Sequence, residues 1–232
     1  AIRLLGRPVQ AATRLDYCQL VLEWLGPDSN DDGEHHELRV VALYYKTKAL
    51  EILDPPASRE SRAELDSVVQ PTDSLFADAQ LRRANGWLRA GDYEAAEGIY
   101  LALTNGSIAE VPESVRTAAF GNRAVVARSR GDLKLALKFS RRAGRIERRN
   151  SGIGSQPWLV SRTNEANYLF LRGKKRKATK YLTDSIRRSQ RRLGSGHPAT
   201  IRAQRIQVWM QLRDKTPQER IRAVSYTHLT LP

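Results

Sequence analysis

Ala84-Asn-Gly-Trp87-Leu-Arg-Ala-Gly91-Asp-Tyr-Glu-Ala-Ala96 decides the fold, because its small residues return twice more in the same register. Ala124, Gly131 and Ala136 form the second copy, and Ala166, Gly173 and Ala178 the third. The glycines lie 40 and 42 residues apart, a period that belongs to stacked structural repeats. Each glycine separates two stretches with helical apolar spacing, as in Leu88-Arg-Ala-Gly91-Asp-Tyr93, Arg128-Ser-Arg-Gly131-Asp-Leu133 and Leu171-Arg-Gly173-Lys174. A helix that ends in a left-handed residue asks for glycine there. Alanine on either side of the break lets two antiparallel helices approach closely.

Working outward, apolar periodicity and breakers place helices at about 9–25, 37–53, 58–69, 74–90, 93–103, 113–130, 133–149, 158–172, 175–193 and 200–212. One more starts near Pro217, and no alternating β pattern competes. The expected fold is an all-α, right-handed α-solenoid of antiparallel helix pairs, each a helix A and a helix B. Residues 1–73 read as degenerate or truncated N-terminal repeats, 74–223 as the solenoid proper and 224–232 as a non-native tail. Counting back from the secure repeats makes 37–53 and 58–69 an A and B pair, with 9–25 the B helix of an incomplete repeat; pairing 9–25 with 37–53 is the alternative. Trp87, Ala127 and Leu169 share one helix A position, and Tyr100, Ser140 and Leu182 one helix B position, where Ser140 stands in for a large residue. Trp87, Tyr100, Tyr168 and Trp209 are expected in the core.

This register resembles the tetratricopeptide repeat (TPR), and Gly91-Asp-Tyr-Glu-Ala-Ala96-Glu-Gly-Ile-Tyr100 matches it best. Leu193-Gly194-Ser-Gly-His197-Pro198-Ala-Thr200 is similar to the Leu-Gly-x-x-His-Pro-x-Thr linker of kinesin-light-chain-type repeats, and Leu25-Gly26-Pro27-Asp28 to a weaker copy of it. The resemblance covers about residues 74–212. It implies that the A helices line a concave groove whose Asn, Lys and Arg side chains bind a peptide backbone or a terminal carboxylate. Carried onto this chain, the peptide-binding candidates are Arg82, Asn85 and Arg89, then Asn122 and Arg128, then Asn164 and Asn167. Asn offers a donor and an acceptor to extended backbone, and Arg binds carboxylate bidentately. The Lys and Arg pair of carboxylate-clamp repeats is not reproduced within one helix. The partner implied is a protein or peptide, bound by a scaffold or by the sensor region of a larger protein.

Charge points to a second class of partner. The net charge of +14 is split between residues 1–115, with 11 Lys+Arg against 19 Asp+Glu (−8), and residues 116–232, with 28 against 6 (+22). Arg141, Arg142, Arg145, Arg148 and Arg149 form one helical stripe, and Arg187, Arg188, Arg191 and Arg192 a similar one. Lys174-Lys175-Arg-Lys177 opens a helix, where cations oppose the helix dipole. The polyanion-binding candidates are Arg141, Arg145, Arg148, Lys174, Lys175, Arg188 and Arg192, expected along a convex ridge that attracts nucleic acid or another polyanion in a salt-dependent way. No aromatic residues interleave with them, which disfavours base stacking. Arg outnumbers Lys 30 to 9, so compositional bias explains the same charge.

Catalytic constellations are scarce. His35 and His36 sit beside an acidic stretch and read as solvated loop, because neighbours on a helix cannot both face one metal. No His-Glu-x-x-His, paired-Cys or phosphate-loop motif occurs, and Gly152-Ile-Gly-Ser155 reads as a repeat linker. Cys18, the single cysteine, reads as a small buried hydrophobe, and no disulfide can form within the chain. The expectation is therefore a non-enzyme without cofactor or metal, cytoplasmic and without a membrane span. Val224-Ser-Tyr226-Thr-His228-Leu-Thr-Leu-Pro232 is identified as a translated sequencing adapter, which leaves Tyr226 and His228 without a role and makes the remainder a piece of a longer protein.

Overall fold

Ala84, Ala124 and Ala166, and across the break Ala96, Ala136 and Ala178, are all 0% exposed. The triple register is thus two sets of three equivalent positions, one on each side of the turn, and all six are fully buried. The computed structural model describes residues 2–26 and 33–213, with side chains from residue 8 onward. The described residues form ten α-helices and no strand. These are α1 (Ile2–Leu25), α2 (Gly33–Leu53), α3 (Ala57–Val68), α4 (Phe76–Ala90), α5 (Tyr93–Asn105), α6 (Glu113–Ser129), α7 (Leu133–Asn150), α8 (Gln156–Leu171), α9 (Lys175–Leu193) and α10 (Pro198–Leu212). The tail 224–232 and the helix expected near Pro217 lie outside the described residues.

The turn within each repeat is the same device three times. Gly91, Gly131 and Gly173 adopt φ of 85°, 81° and 77°. The amide after each glycine donates to a carbonyl five residues back: Asp92 to Trp87 at 3.0 Å, Asp132 to Ala127 at 2.9 Å, Lys174 to Leu169 at 2.9 Å. With the glycine amides bonded to Leu88, Arg128 and Phe170, this is the Schellman ending of a helix. Asp92 and Asp132 then cap the next helix, accepting from the Ala95 and Leu135 amides at 3.0 and 2.9 Å. Lys174 takes that position in the third repeat and supplies no side-chain cap. The longer linker before α10 is capped instead by His197, whose Nδ1 accepts from the Ala199 amide, while the buried Thr200 hydroxyl donates to the Gly194 carbonyl.

The chain divides into two compact units, 1–115 and 116–232, at the same boundary that divides the charge. In the first, α2 packs against both α1 and α3, and Val40, Leu43, Tyr44, Leu65 and Ala79 form a core. The α2 and α4 side chains also meet: Tyr44 donates to Asp78 and His36 bonds the Asp73 carboxylate just before α4. In the second, α8 packs against α7, α9 and α10 around a core running from Phe120 to Met210. There α6 and α7 cover each other's phenylalanines, with Arg123 4.3 Å from the Phe139 ring centre and Arg142 4.8 Å from that of Phe120.

Some expectations change. Tyr100 and Tyr168 are buried, but Trp87 and Trp209 are 41% and 42% exposed. Trp87 is larger than its buried counterparts Ala127 and Leu169 and overhangs a cleft, and Trp209 packs edgewise on Phe170 at 5.5 Å with Arg213 over its ring. Ser140 is buried where a large residue was expected, because α7 and α8 meet closely there: its hydroxyl donates to the Ser161 carbonyl at 3.0 Å, and a Cβ at Gly144 would meet Ser161 at 3.4 Å. His35 and His36 lie in the first turns of α2, not in a solvated loop. His36 is held at 3.1 Å by Asp73, and His35 stacks edgewise on Trp24. Helix α1 extends through Pro8 to Ile2, beyond the expected start at Val9. Cys18 is buried, and burial raises its thiol pKa.

Candidate functional site

Helix α7 carries its cations at positions 134, 138, 141, 145 and 148, alternating steps of four and three that keep them on one face. That face lines a cleft of about 760 Å³ against α8 and α9. Lys134, Lys138, Arg141, Arg145 and Arg148 form one wall, and Arg162 and Arg172 add two further cations. Leu137, Ser140, Gly144, Ile153, Trp158, Ser161 and Tyr181 complete the lining. Seven cations therefore surround a single carboxylate, Glu165.

Glu165 is buried and both of its oxygens are committed. Arg141 Nε donates to Oε1 and Arg162 Nη1 to Oε2, each at 2.9 Å. Arg162 also lies 3.7 Å from the Tyr181 ring centre and 5.7 Å from that of Trp158, so the two guanidinium groups are anchored before any ligand arrives. Lys134, Lys138, Arg145, Arg148 and Arg172 have no ion-pair partner among the described residues. Uncompensated cations converging on one cleft attract an anion whose charge is distributed along a line.

The other polyanion candidates stand outside this cleft. Lys174 and Lys175 are exposed at the start of α9. Arg188 pairs with Asp184 at 2.8 Å, as Arg187 does at 2.9 Å, and these hydrogen bonds, that of Arg188 foremost, hold the Asp184 carboxyl below its usual range. Arg192 is exposed and approaches the glycine linker at Gly154. The two Arg stripes are thus unlike: that of α7 faces a cleft, and Arg187 and Arg188 in that of α9 are partly neutralised by their own helix.

Among the helix A candidates, Arg82 donates to Glu51 at 2.6 Å and covers the Tyr44 ring, and Asn85 accepts from the buried Tyr100 hydroxyl at 2.7 Å. Asn164 accepts from Arg202 of α10 at 3.1 Å. Arg89 is exposed, 3.7 Å from Glu51, and Arg128 is exposed near Tyr168. Asn122 and Asn167 are half-buried on α6 and α8. The sequence reading missed Lys134, Lys138, Arg162, Arg172 and Tyr181; the four-and-three spacing from 134 to 148 was the available signal. Among the described residues no group of acidic, His or Cys side chains is arranged to hold a metal, and no helix is long and apolar enough to cross a membrane.

Repeated helix pairs joined by Schellman turns define a TPR-like repeat fold. BtubC (BKLC) from P. vanneervenii has the same fold, with a TM-score of 0.61 at 14% identity over 92% of this chain and 94% of that one. Two crystal structures of a kinesin light chain-like protein of Podosopora anserina, with nearly identical TPR-like repeats, give TM-scores of 0.57 and 0.55 at 12% identity. They cover 82% of this chain and 95% and 97% of their own. No family profile and no curated protein matches the sequence.

Proposed function

We propose that this chain is a non-enzymatic interaction scaffold that docks an acidic segment of a partner protein in the α7–α9 cleft. The observation that carries the reading is the charge of that cleft, seven cations to one carboxylate, with five of the cations lacking an ion-pair partner among the described residues. Folding alone gives no reason to gather them, since like charges brought together cost stability. The helix A face is the weaker candidate for the docking site. Arg82, Asn85 and Asn164 already serve internal hydrogen bonds, which makes these three the less available members of the peptide-binding set.

Nucleic acid is the rival ligand for the same charge, and the aromatic residues weigh against it. Nucleic-acid clefts offer ring faces to bases. Here Tyr181 is covered by Arg162, with Lys177 5.7 Å from its ring centre, and Trp158 is buried. The test is fluorescence anisotropy of the full chain with a Glu-rich peptide and with single-stranded RNA of equal charge, at ~0.15 M salt where the screening length is about 8 Å. The reading expects the peptide to bind and Arg145→Glu with Arg148→Glu to weaken its binding by about 100-fold. Tighter binding of the RNA, or a charge reversal without effect, overturns it.

A further inference from the structure

The spacing of the cations in the cleft bears on the conformation of a ligand as well as on its charge. On an α-helix, the steps from Lys134 to Lys138, Arg141, Arg145 and Arg148 average about 5 Å, and the row spans about 21 Å at 1.5 Å per residue. An extended chain presents same-side residues about 6.7 Å apart, so it falls out of step with such a row. A second helix with carboxylates at the same alternation of four and three stays in step along the whole row.

The polar chemistry of the lining points the same way. An extended peptide brings backbone N–H groups that need acceptors once they leave water. Ser140 is buried with its hydroxyl donated to the Ser161 carbonyl, each oxygen of the buried Glu165 already accepts from an arginine, and no Asn or Gln lines the cleft. Nearly everything else polar there is a donor. A helix arrives with its backbone satisfied internally and needs donors only for its side-chain carboxylates. The exposed Ile153 lies by the Arg148 end of the wall and can meet an apolar residue of the same ligand.

We propose that the occupant of the α7–α9 cleft is an amphipathic helix of a partner protein carrying an Asp or Glu stripe at alternating four- and three-residue steps. This rests on the acidic-segment reading above. The test uses three peptides of about 20 residues and identical composition. One carries Glu in the stripe, one has the same Glu residues dispersed around the helix, and one keeps the stripe but with two prolines moved from the ends to the centre. Binding to the full chain is read by anisotropy and ligand helicity by circular dichroism, at ~0.15 M salt. The stripe peptide should bind at least ~10-fold tighter than either other peptide and gain helicity on binding. Lys138→Ala with Arg145→Ala, both exposed positions, should remove that advantage. Equal affinity for all three peptides overturns the helical ligand and leaves the acidic-segment reading standing; absence of binding by all three overturns both.

Discussion

A large cleft lies beside the helices in each unit, and these two differ in charge more than in size. The first, about 870 Å³ among α2, α3 and α4, is lined by Arg59, Arg62, Arg83 and Arg89 against Glu51 and Asp66. Glu51 lies within 3.2 Å of Arg62 and 3.7 Å of Arg89, and Asp66 within 3.7 Å of Arg83, so that of these four arginines Arg59 alone has no ion-pair partner among the described residues. The second is slightly smaller and keeps five cations without an ion-pair partner among the described residues. A cleft whose charges pair among themselves is explained by the fold that contains it. One whose charges do not pair is explained by something outside it.

The comparison breaks most severely if binding does not follow the charge. Reversing Arg145 and Arg148 to Glu should weaken an acidic peptide by about 100-fold, the scale of two lost close charge pairs. Reversing Arg59 and Arg83 in the first cleft should change its affinity by less than about twofold. Equal losses in the two variants would mean that the peptide senses net charge and no site.

Stability offers a second break. Glu165→Gln leaves Arg141 and Arg162 without their carboxylate and should cost about 2–3 kcal/mol in denaturant melts, less than a fully buried pair because Arg141 is 44% exposed. In the first cleft Arg59→Gln, which breaks no ion pair, should cost under about 0.5 kcal/mol. Overpacking is comparable in both units: Ala96→Leu and Ala136→Leu should each cost about 1–3 kcal/mol.

The turns give a smaller contrast. Asp132→Ala should lose about 1 kcal/mol with its cap. Lys174→Asp should gain a similar amount, because it adds a cap and removes a cation from the helix start. A lower melting temperature for Lys174→Asp would show that the third turn is not equivalent to the other two.

The smallest effects are in titration, and their signs are opposite. The Asp184 carboxyl is depressed by its arginines, so its contribution is present above the unfolded carboxylate value of about 3.9 and is lost as pH falls through the folded one. Asp66 is raised by burial, opposed by Arg83 and Arg62, so its ionised form opposes folding and acid relieves that cost. Carboxyl NMR titration should show Arg188→Ala returning Asp184 toward the ordinary range and leaving Asp66 unmoved.

The repeat was legible in the sequence because it is a backbone requirement. Gly at the left-handed position and Ala at the closest contacts are residue types that little else can replace. Trp87 and Trp209 misled because periodicity gives the face of a helix without the size of what lies opposite. Ser140 was unreadable for a related reason: its partner is a carbonyl on α8, which has no signature in the sequence. The Arg141–Arg148 stripe was visible, but its cleft was not, since Arg162, Arg172 and Tyr181 come from other helices and only packing brings them to α7.

The central claim is that an acidic partner is taken by the helix B cleft of the second unit and not by a helix A groove. Amide and side-chain NMR shifts of the full chain, titrated with the Glu-stripe peptide at ~0.15 M salt, test it most directly. The account predicts saturable shifts at Lys134, Lys138, Arg145, Arg148 and Tyr181, with Asn122, Asn167 and the α2–α4 cleft unmoved. Shifts centred on Asn122, Arg128 and Asn167 with α7 silent would contradict it.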